Sequence, residues 1–364
     1  MPATTPLPPR PRPQRVHLLR ERGGPPLPVL FVALVLLALP AVLPAAVTLA
    51  RSGPATDTAV AVTASTNLSA APTPTWQKTS YRRVGYDKSF KADLIDELPT
   101  AVEFVVLGGS RAMRFEPAYL HSLTGLNSFN AAVQCFRPED AWAFSSYLYA
   151  RSPEARLRCV IALQTRTFRD DTLRAELLYD QRLVRAFPET LVARHKSKLG
   201  KPAIKQLLGV TRFNAHGYLV RNRYDVTRAR ASYSHEKHMD LYIKRQLANH
   251  RWKGPLADAR SREYFEKTVR LYNDHGVTPL IVIMPYEPRV LRAFRKVGFQ
   301  KHLDRLRAYL RDAGTRCTFR ALDLTNVKSF GGDPKGFYDG VHVTRENARR
   351  ITRFAVARAP ECFR

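Results

Sequence analysis

The longest apolar stretch in the chain is residues 28–50, PVLFVALVLLALPAVLPAAVTLA, which holds 23 residues and no charge. A helix of about 20 apolar residues crosses a hydrocarbon core, so the stretch is long enough to span a membrane. Pro40 and Pro44 do not exclude this, because membrane helices tolerate proline. Five shorter apolar runs come after it: 103–108 (EFVVLG), 128–133 (SFNAAV), 158–164 (RCVIALQ), 278–284 (TPLIVIM) and 317–324 (CTFRALDL). Continuous short runs of this kind predict parallel strands covered on both faces. Between them lie stretches of helical period. Residues 138–150 follow Pro138, 261–275 open with Ser261 and stop at Gly276, 290–313 end at Gly314, and 344–358 start from Thr344 as N-cap. In the last of these Asn347 stands where a capping box prefers Glu or Gln. Alternating strand and helix predicts a three-layer α/β domain on a parallel sheet. The third and fourth strands are far apart in the chain. Residues about 172–258 between them are basic and helix-leaning with no clear strand, and predict a helical insertion over the carboxyl ends of the strands.

These patterns divide the 364 residues into four parts. Residues 1–27 form a Pro/Arg-rich tail, 28–50 a single transmembrane segment, 51–81 an Ala/Thr/Ser/Pro linker, and 82–364 the globular domain. A cleaved signal peptide is the rival for 28–50, with Thr48-Leu49-Ala50 as a small-x-small site. The length of the run favours an uncleaved anchor, and Arg10, Arg12, Arg15, Arg20 and Arg22 before it place the tail in the cytoplasm. Both readings put the domain outside the cytoplasm, at the plasma membrane or secreted.

Charge changes the picture next. The chain has 59 Lys+Arg against 31 Asp+Glu, a formal net charge of +28. Five arginines and one glutamate precede residue 51, so +24 belongs to the exported part. Such an excess points to a polyanionic partner. Export removes nucleic acid from the candidates and leaves an acidic envelope polymer or lipid headgroups. Four cysteines, Cys135, Cys159, Cys317 and Cys362, allow three full pairings, and export permits disulfides. Cys317 with Cys362 is the favoured pair, since both lie near the C-terminus. No Cys or His cluster has metal-ligand spacing, His235 and His238 included, and no cofactor is implied. An envelope nuclease or phosphodiesterase would fit the charge but lacks paired carboxylates at such spacing.

Two segments carry chemistry. In Val105-Val106-Leu107-Gly108-Gly109-Ser110-Arg111 a buried strand ends in two glycines and a serine. This sets Ser110 at the carboxyl edge of the sheet, where open α/β folds bind ligands. In Phe337-Tyr338-Asp339-Gly340-Val341-His342 a carboxylate and an imidazole stand three residues apart after the last strand. One tight turn can join them, the carboxylate fixing the tautomer and the other ring nitrogen free to take a hydroxyl proton. Arg111, Arg114 and Arg166 lie near strand ends, either solvated or holding an anionic substrate group. Trp142, Phe144 and Tyr147 fit a helix-to-sheet core better than a sugar platform.

The chain order Ser110, Asp339, His342 resembles the SGNH/GDSL hydrolase superfamily over about residues 103–358. That family carries its nucleophile after the first strand and Asp-x-x-His after the last. More narrowly, it resembles the membrane-tethered bacterial branch that works beside membrane-bound O-acyltransferases in polysaccharide acetylation or teichoic-acid D-alanylation. The N-terminal span, Phe129–Val133 with Arg137-Pro138-Glu139-Asp140, and Ile283-Met284-Pro285-Tyr286-Glu287-Pro288 carry that likeness. The resemblance implies Ser110 as nucleophile, His342 as base and Asp339 as its orienter. It implies a serine esterase or O-acyltransferase acting on acyl, chiefly acetyl, groups of an envelope glycan or wall polymer. It implies an oxyanion hole formed by Ser110, Cys135 and Gln164. The family has Gly and Asn at the last two positions, and Gly-Asp-Ser where this chain has Gly-Gly-Ser. Loss of one oxyanion donor costs roughly 3–4 kcal/mol. A weakened family member that binds an anionic envelope polymer, or assists a membrane acyltransferase, is therefore the alternative.

Overall fold

The computed structural model describes residues 87–168, 173, 175–196, 211–248 and 259–364. The expected membrane segment 28–50, the linker 51–81 and the tail 1–27 lie outside the described residues. Among the described residues no helix is long and apolar enough to cross a membrane.

In chain order the main elements are α1 (Asp87–Asp96), β1 (Phe104–Gly108), α2 (Pro117–Thr124), β2 (Ser128–Asn130), α3 (Pro138–Arg151) and β3 (Arg158–Leu163). Then come α4 (Ala175–Tyr179), α5 (Gln181–Val184), α6 (Glu189–Lys196), β4 (Arg212–Phe213), β5 (Leu219–Arg221), α7 (Arg223–Arg228) and α8 (His235–Ala248). The chain ends with α9 (Ala259–Asp274), β6 (Leu280–Ile283), α10 (Pro288–Arg295), α11 (Phe299–Ala313), β7 (Arg320–Asp323) and α12 (Arg345–Arg358).

All five shorter apolar runs contribute to one parallel sheet, in the order β2-β1-β3-β6-β7. Strand side chains alternate between faces, so one run feeds two cores. Val105, Leu107, Ile161, Leu163, Ile281 and Ile283 join a buried cluster with residues of α3, α9 and α11. Phe104, Val106, Val160, Ala162, Leu280 and Val282 join a second cluster with residues of α2 and α12. This is the expected three-layer α/β architecture. Each large apolar side chain, fully buried, contributes about 1.5–3 kcal/mol. The chain leaves β1 for one side and β3 for the other. The crevice at the carboxyl ends of β1 and β3 is thus the switch point of the sheet, the usual ligand position in such folds.

Several expectations change in detail. The second run pairs as a strand only to Asn130, although Ala131 and Val133 still donate to Val106 and Gly108 carbonyls at 2.9 Å. Residues 290–313 form two helices, because Gly298 adopts φ 90°, a left-handed conformation that ends the helical path before α11 starts. Ser261 lies inside α9 and donates to Glu139 at 3.1 Å instead of capping the helix. The insertion contains a short antiparallel hairpin, β4 with β5, where sequence pattern gave no strand. Two- and three-residue strands are too short to show a period. All four cysteines are free thiols. Cys317 packs in one core and Cys362 in the other, on opposite faces of the sheet, so the favoured pair cannot form.

Candidate active site

Ser110 stands in the turn after β1. Gly108 is required there by close approach. A Cβ on it would lie 2.8 Å from the Ala162 Cβ of β3 and 2.9 Å from the Ala112 Cβ. The turn closes through Ala112 N–H to Gly109 O (2.8 Å) and Phe115 N–H to Ala112 O (2.9 Å). Asn130, fully buried at the end of β2, braces it. Its Nδ2 donates to Ala112 O (2.9 Å) and Phe115 O (2.7 Å), and its Oδ1 accepts from Ala132 N–H (3.0 Å). Sequence reading assigned no such task to Asn130, and a lone Asn in an apolar run was the available signal.

The other two residues come from the loop before α12. Phe337 and Val343 form an isolated bridge, Tyr338 N–H donates to His342 O (2.8 Å), and Thr344 N–H to Gly336 O (3.0 Å). Asn347 clamps the base of this loop by donating to the Asp333 and Gly336 carbonyls, both at 2.9 Å. That is why it replaces the Glu of a capping box. Thr344 caps α12, as expected. Glu287 N–H donates to Gly340 O (3.0 Å), which fixes the loop to the segment after β6.

This arrangement brings together residues 232 positions apart: Ser110 Oγ lies 2.8 Å from His342 Nε2. His342 Nδ1 lies 2.8 and 2.9 Å from the two Asp339 oxygens. Asp339 Oδ1 also accepts from the backbone N–H groups of His342 (2.9 Å) and Val341 (3.2 Å). Burial alone would raise the Asp339 pKa. The imidazole and these hydrogen bonds outweigh it and hold the carboxyl well below the usual range. An ionised carboxylate only accepts, so Nδ1 carries the proton and the Nε2 lone pair faces Ser110 Oγ. The hydroxyl can therefore pass its proton to the ring, and the carboxylate stabilises the imidazolium that results.

The insertion reaches this centre. The Tyr224 ring stacks on His342 with centroids 5.1 Å apart. Arg114, a candidate for solvent or for an anionic substrate group, is committed to structure. It pairs with Asp225, donates to Val220 O (3.0 Å) and lies 5.1 Å from the Tyr338 ring. The Tyr338 hydroxyl donates to the other Asp225 oxygen at 2.7 Å. Asp225 also accepts from Asn222 N–H (2.7 Å), completing a capping box at the start of α7. Asn222-x-x-Asp225 was the legible signal for this helix, and Tyr224 and Asp225 are the site residues sequence reading missed. A Cβ on Gly340 would lie 2.7 Å from Tyr242 Cδ1 of α8, so glycine lets that helix approach.

Of the remaining candidates, Cys135 is exposed and has φ 52°. This is the left-handed conformation that glycine adopts freely. Gln164 comes directly after β3, and its Nε2 lies 3.5 Å from where a Gly109 Cβ would stand, so its amide reaches the Ser110 turn. Arg111 is 8% exposed, its guanidinium 4.3 Å over the Tyr286 ring. Its Nη1 is buried with no hydrogen-bond partner among the described residues. Arg166 is half-buried in the turn after Gln164. Phe144 is core, and Trp142 Nε1 donates to Ala186 O at 2.7 Å, which ties α3 to the segment after α5. Among the described residues no three His, Cys, Asp or Glu side chains gather as metal ligands.

No protein-family model matches the chain, and no curated protein matches it. One similar solved structure is a proposed acylhydrolase from Bacteroides fragilis, at 12% identity and a TM-score of 0.36. The match covers 78% of this chain and all of that one. Likeness this distant carries no argument about activity, so the chemistry rests on the geometry of Ser110, His342 and Asp339.

Proposed function

We propose that the protein is a membrane-anchored, extracytoplasmic serine esterase or O-acyltransferase of SGNH type. Its substrates are acyl groups, chiefly acetyl, on an envelope glycan or wall polymer. The observation that carries this reading is the unbroken Ser110–His342–Asp339 relay, with contacts of 2.8 Å on either side of the imidazole. Ser110 Oγ attacks the acyl carbonyl carbon while His342 Nε2 takes its proton. The oxyanion is met by the backbone N–H groups of Ser110 and Cys135 and by Gln164 Nε2. Collapse expels the alcohol, which takes the proton back from His342, and leaves an acyl ester on Ser110. A sugar hydroxyl or water then gives its proton to His342 and attacks that ester, restoring Ser110. Transfer and hydrolysis differ only in the acceptor. Arg111 Nη1, which has no hydrogen-bond partner among the described residues, belongs to the residue next to the nucleophile in sequence and suits an anionic group near the acyl ester. In the acyl-transfer role a membrane-bound O-acyltransferase is the partner, reached through the anchor at residues 28–50.

Replacement of family Gly and Asn by Cys135 and Gln164 favours a second reading, a weakened enzyme that chiefly binds polymer. A fluorophosphonate probe and hydrolysis of 4-nitrophenyl acetate by the full chain separate the two. The first reading expects labelling and turnover that vanish in Ser110→Ala. Labelling unchanged in that variant would sink it.

A further inference from the structure

A cavity of ≈ 500 Å³ lies between α8, α10 and the segments after β6 and β7, bordering the loop that carries Asp339. Its floor is apolar, made by Tyr286, Leu291 and Val327. Its walls carry Arg289, Arg292 and Arg295 from one side of α10, with Lys328 and Lys335 opposite. Arg289 is paired with Asp240. The side chains of Arg292, Arg295, Lys328 and Lys335 have no hydrogen bond or ion pair among the described residues, and all four are exposed. Two acids line the cavity. Glu287 is buried and already accepts from Val290 N–H at 2.8 Å, and Glu236 is the other. Basic charge therefore prevails. His235 lies on the same wall, where burial first, and then Arg228, Lys335 and Arg289, push its pKa down. Its Nε2 is buried with no hydrogen-bond partner among the described residues.

The spacing selects the ligand. Arg295 stands six helical positions on from Arg289, a rise of about 9 Å. One anionic group cannot span that length together with the lysines opposite. A chain of repeating anions can, and the apolar floor suits the faces of its sugar rings. We propose that this cavity binds a segment of an anionic polymer, two or more carboxylate or phosphate groups on a sugar-containing backbone. This rests on the proposed function, in which the protein works on an envelope polymer. It adds a second site, which holds the chain while Ser110 acts on an acyl group nearby.

The test uses the full chain and two fluorescent probes, an oligogalacturonate and an inorganic polyphosphate, with binding followed by polarisation. Arg292→Glu with Arg295→Glu is expected to weaken the tighter probe on the order of 30-fold, from two lost pairs and two new repulsions. Lys328→Glu, on a separate element, should weaken it several-fold, which guards against a folding defect in α10. Which probe binds tighter assigns carboxylate or phosphate. Both variants should hydrolyse 4-nitrophenyl acetate as the unaltered chain does. Ser110→Ala should lose hydrolysis and keep probe binding, so failure of the esterase reading shows separately. Probe affinities within threefold of the unaltered chain in both variants would overturn the proposal, as would the absence of binding to either probe.

Discussion

Asp339→Asn removes a charge while keeping the shape, and the hydrogen-bond geometry decides the consequence for catalysis. One carboxylate oxygen holds the N–H groups of His342 and Val341, at 2.9 and 3.2 Å, as well as the ring nitrogen at 2.8 Å. An amide has only one oxygen. Keeping both backbone bonds turns the NH2 toward Nδ1, which must then accept. The ring proton moves to Nε2, and the 2.8 Å contact with Ser110 becomes a donation to Oγ. Nε2 can no longer take the serine proton. Loss of the correct tautomer costs about 10⁴ in kcat in a serine protease triad, or ~5.5 kcal/mol of barrier. Stability should fall by only ~1–2 kcal/mol, since the backbone bonds survive in neutral form. Because the Asp339 pKa is held low, its stabilising contribution is present above the unfolded value of about 3.9. It is lost only as pH falls through the folded value, so it is complete at pH 7. The assay is turnover of 4-nitrophenyl acetate by the full chain at pH 7–8, beside a melting curve. Turnover within tenfold of the unaltered chain, with Ser110→Ala inactive, would refute the claim that Asp339 sets the tautomer.

Three other perturbations have equally definite outcomes. Lys91 is fully buried, donating to the Asn130 and Gly217 carbonyls, and burial lowers its pKa from 10.5 to about 7 despite Asp87. Between these values the unfolded chain binds more protons, so stability rises with pH by up to ~1.4 kcal/mol per unit. Urea unfolding at pH 7.5, 8.5 and 9.5 should show this slope relative to Lys91→Met, and parallel curves would contradict it. Asp225→Ala strips partners from Arg114, Tyr338 and the α7 cap, and should cost about 3 kcal/mol and lower kcat as Tyr224 loosens. A loss below ~1 kcal/mol in denaturant melts would mean that solvent satisfies Arg114. Cys135→Gly relieves the left-handed backbone and should stabilise by up to ~1 kcal/mol without lowering turnover. A marked fall in esterase rate would instead give the side chain a part in catalysis.

The chain's own pattern determined the sheet, the layers and the two chemical segments. Valine and isoleucine runs such as 103–108 and 278–284 need two covered faces, and only a helix–sheet–helix stack supplies them. Gly108-Gly109-Ser110 and Asp339-x-x-His342 were legible for the same reason: each is a local turn whose geometry is set within a few residues. Tertiary structure alone decided how distant segments meet. Arg114 looked like Arg111 in sequence, yet Asp225, 111 residues on, takes its charge, while Arg111 keeps a buried nitrogen with no hydrogen-bond partner among the described residues. The hairpin β4–β5 was hidden because strands of two and three residues have no period, and contacts such as Leu219 N–H to Met113 O (3.0 Å) hold it in place. The basic cavity was equally invisible, since Arg292, Arg295, Lys328 and Lys335 are scattered charges until the strand ends bring them to one edge. Periodicity encodes which face of an element is buried. Which charges share a site is encoded only in the packing of elements far apart in the chain.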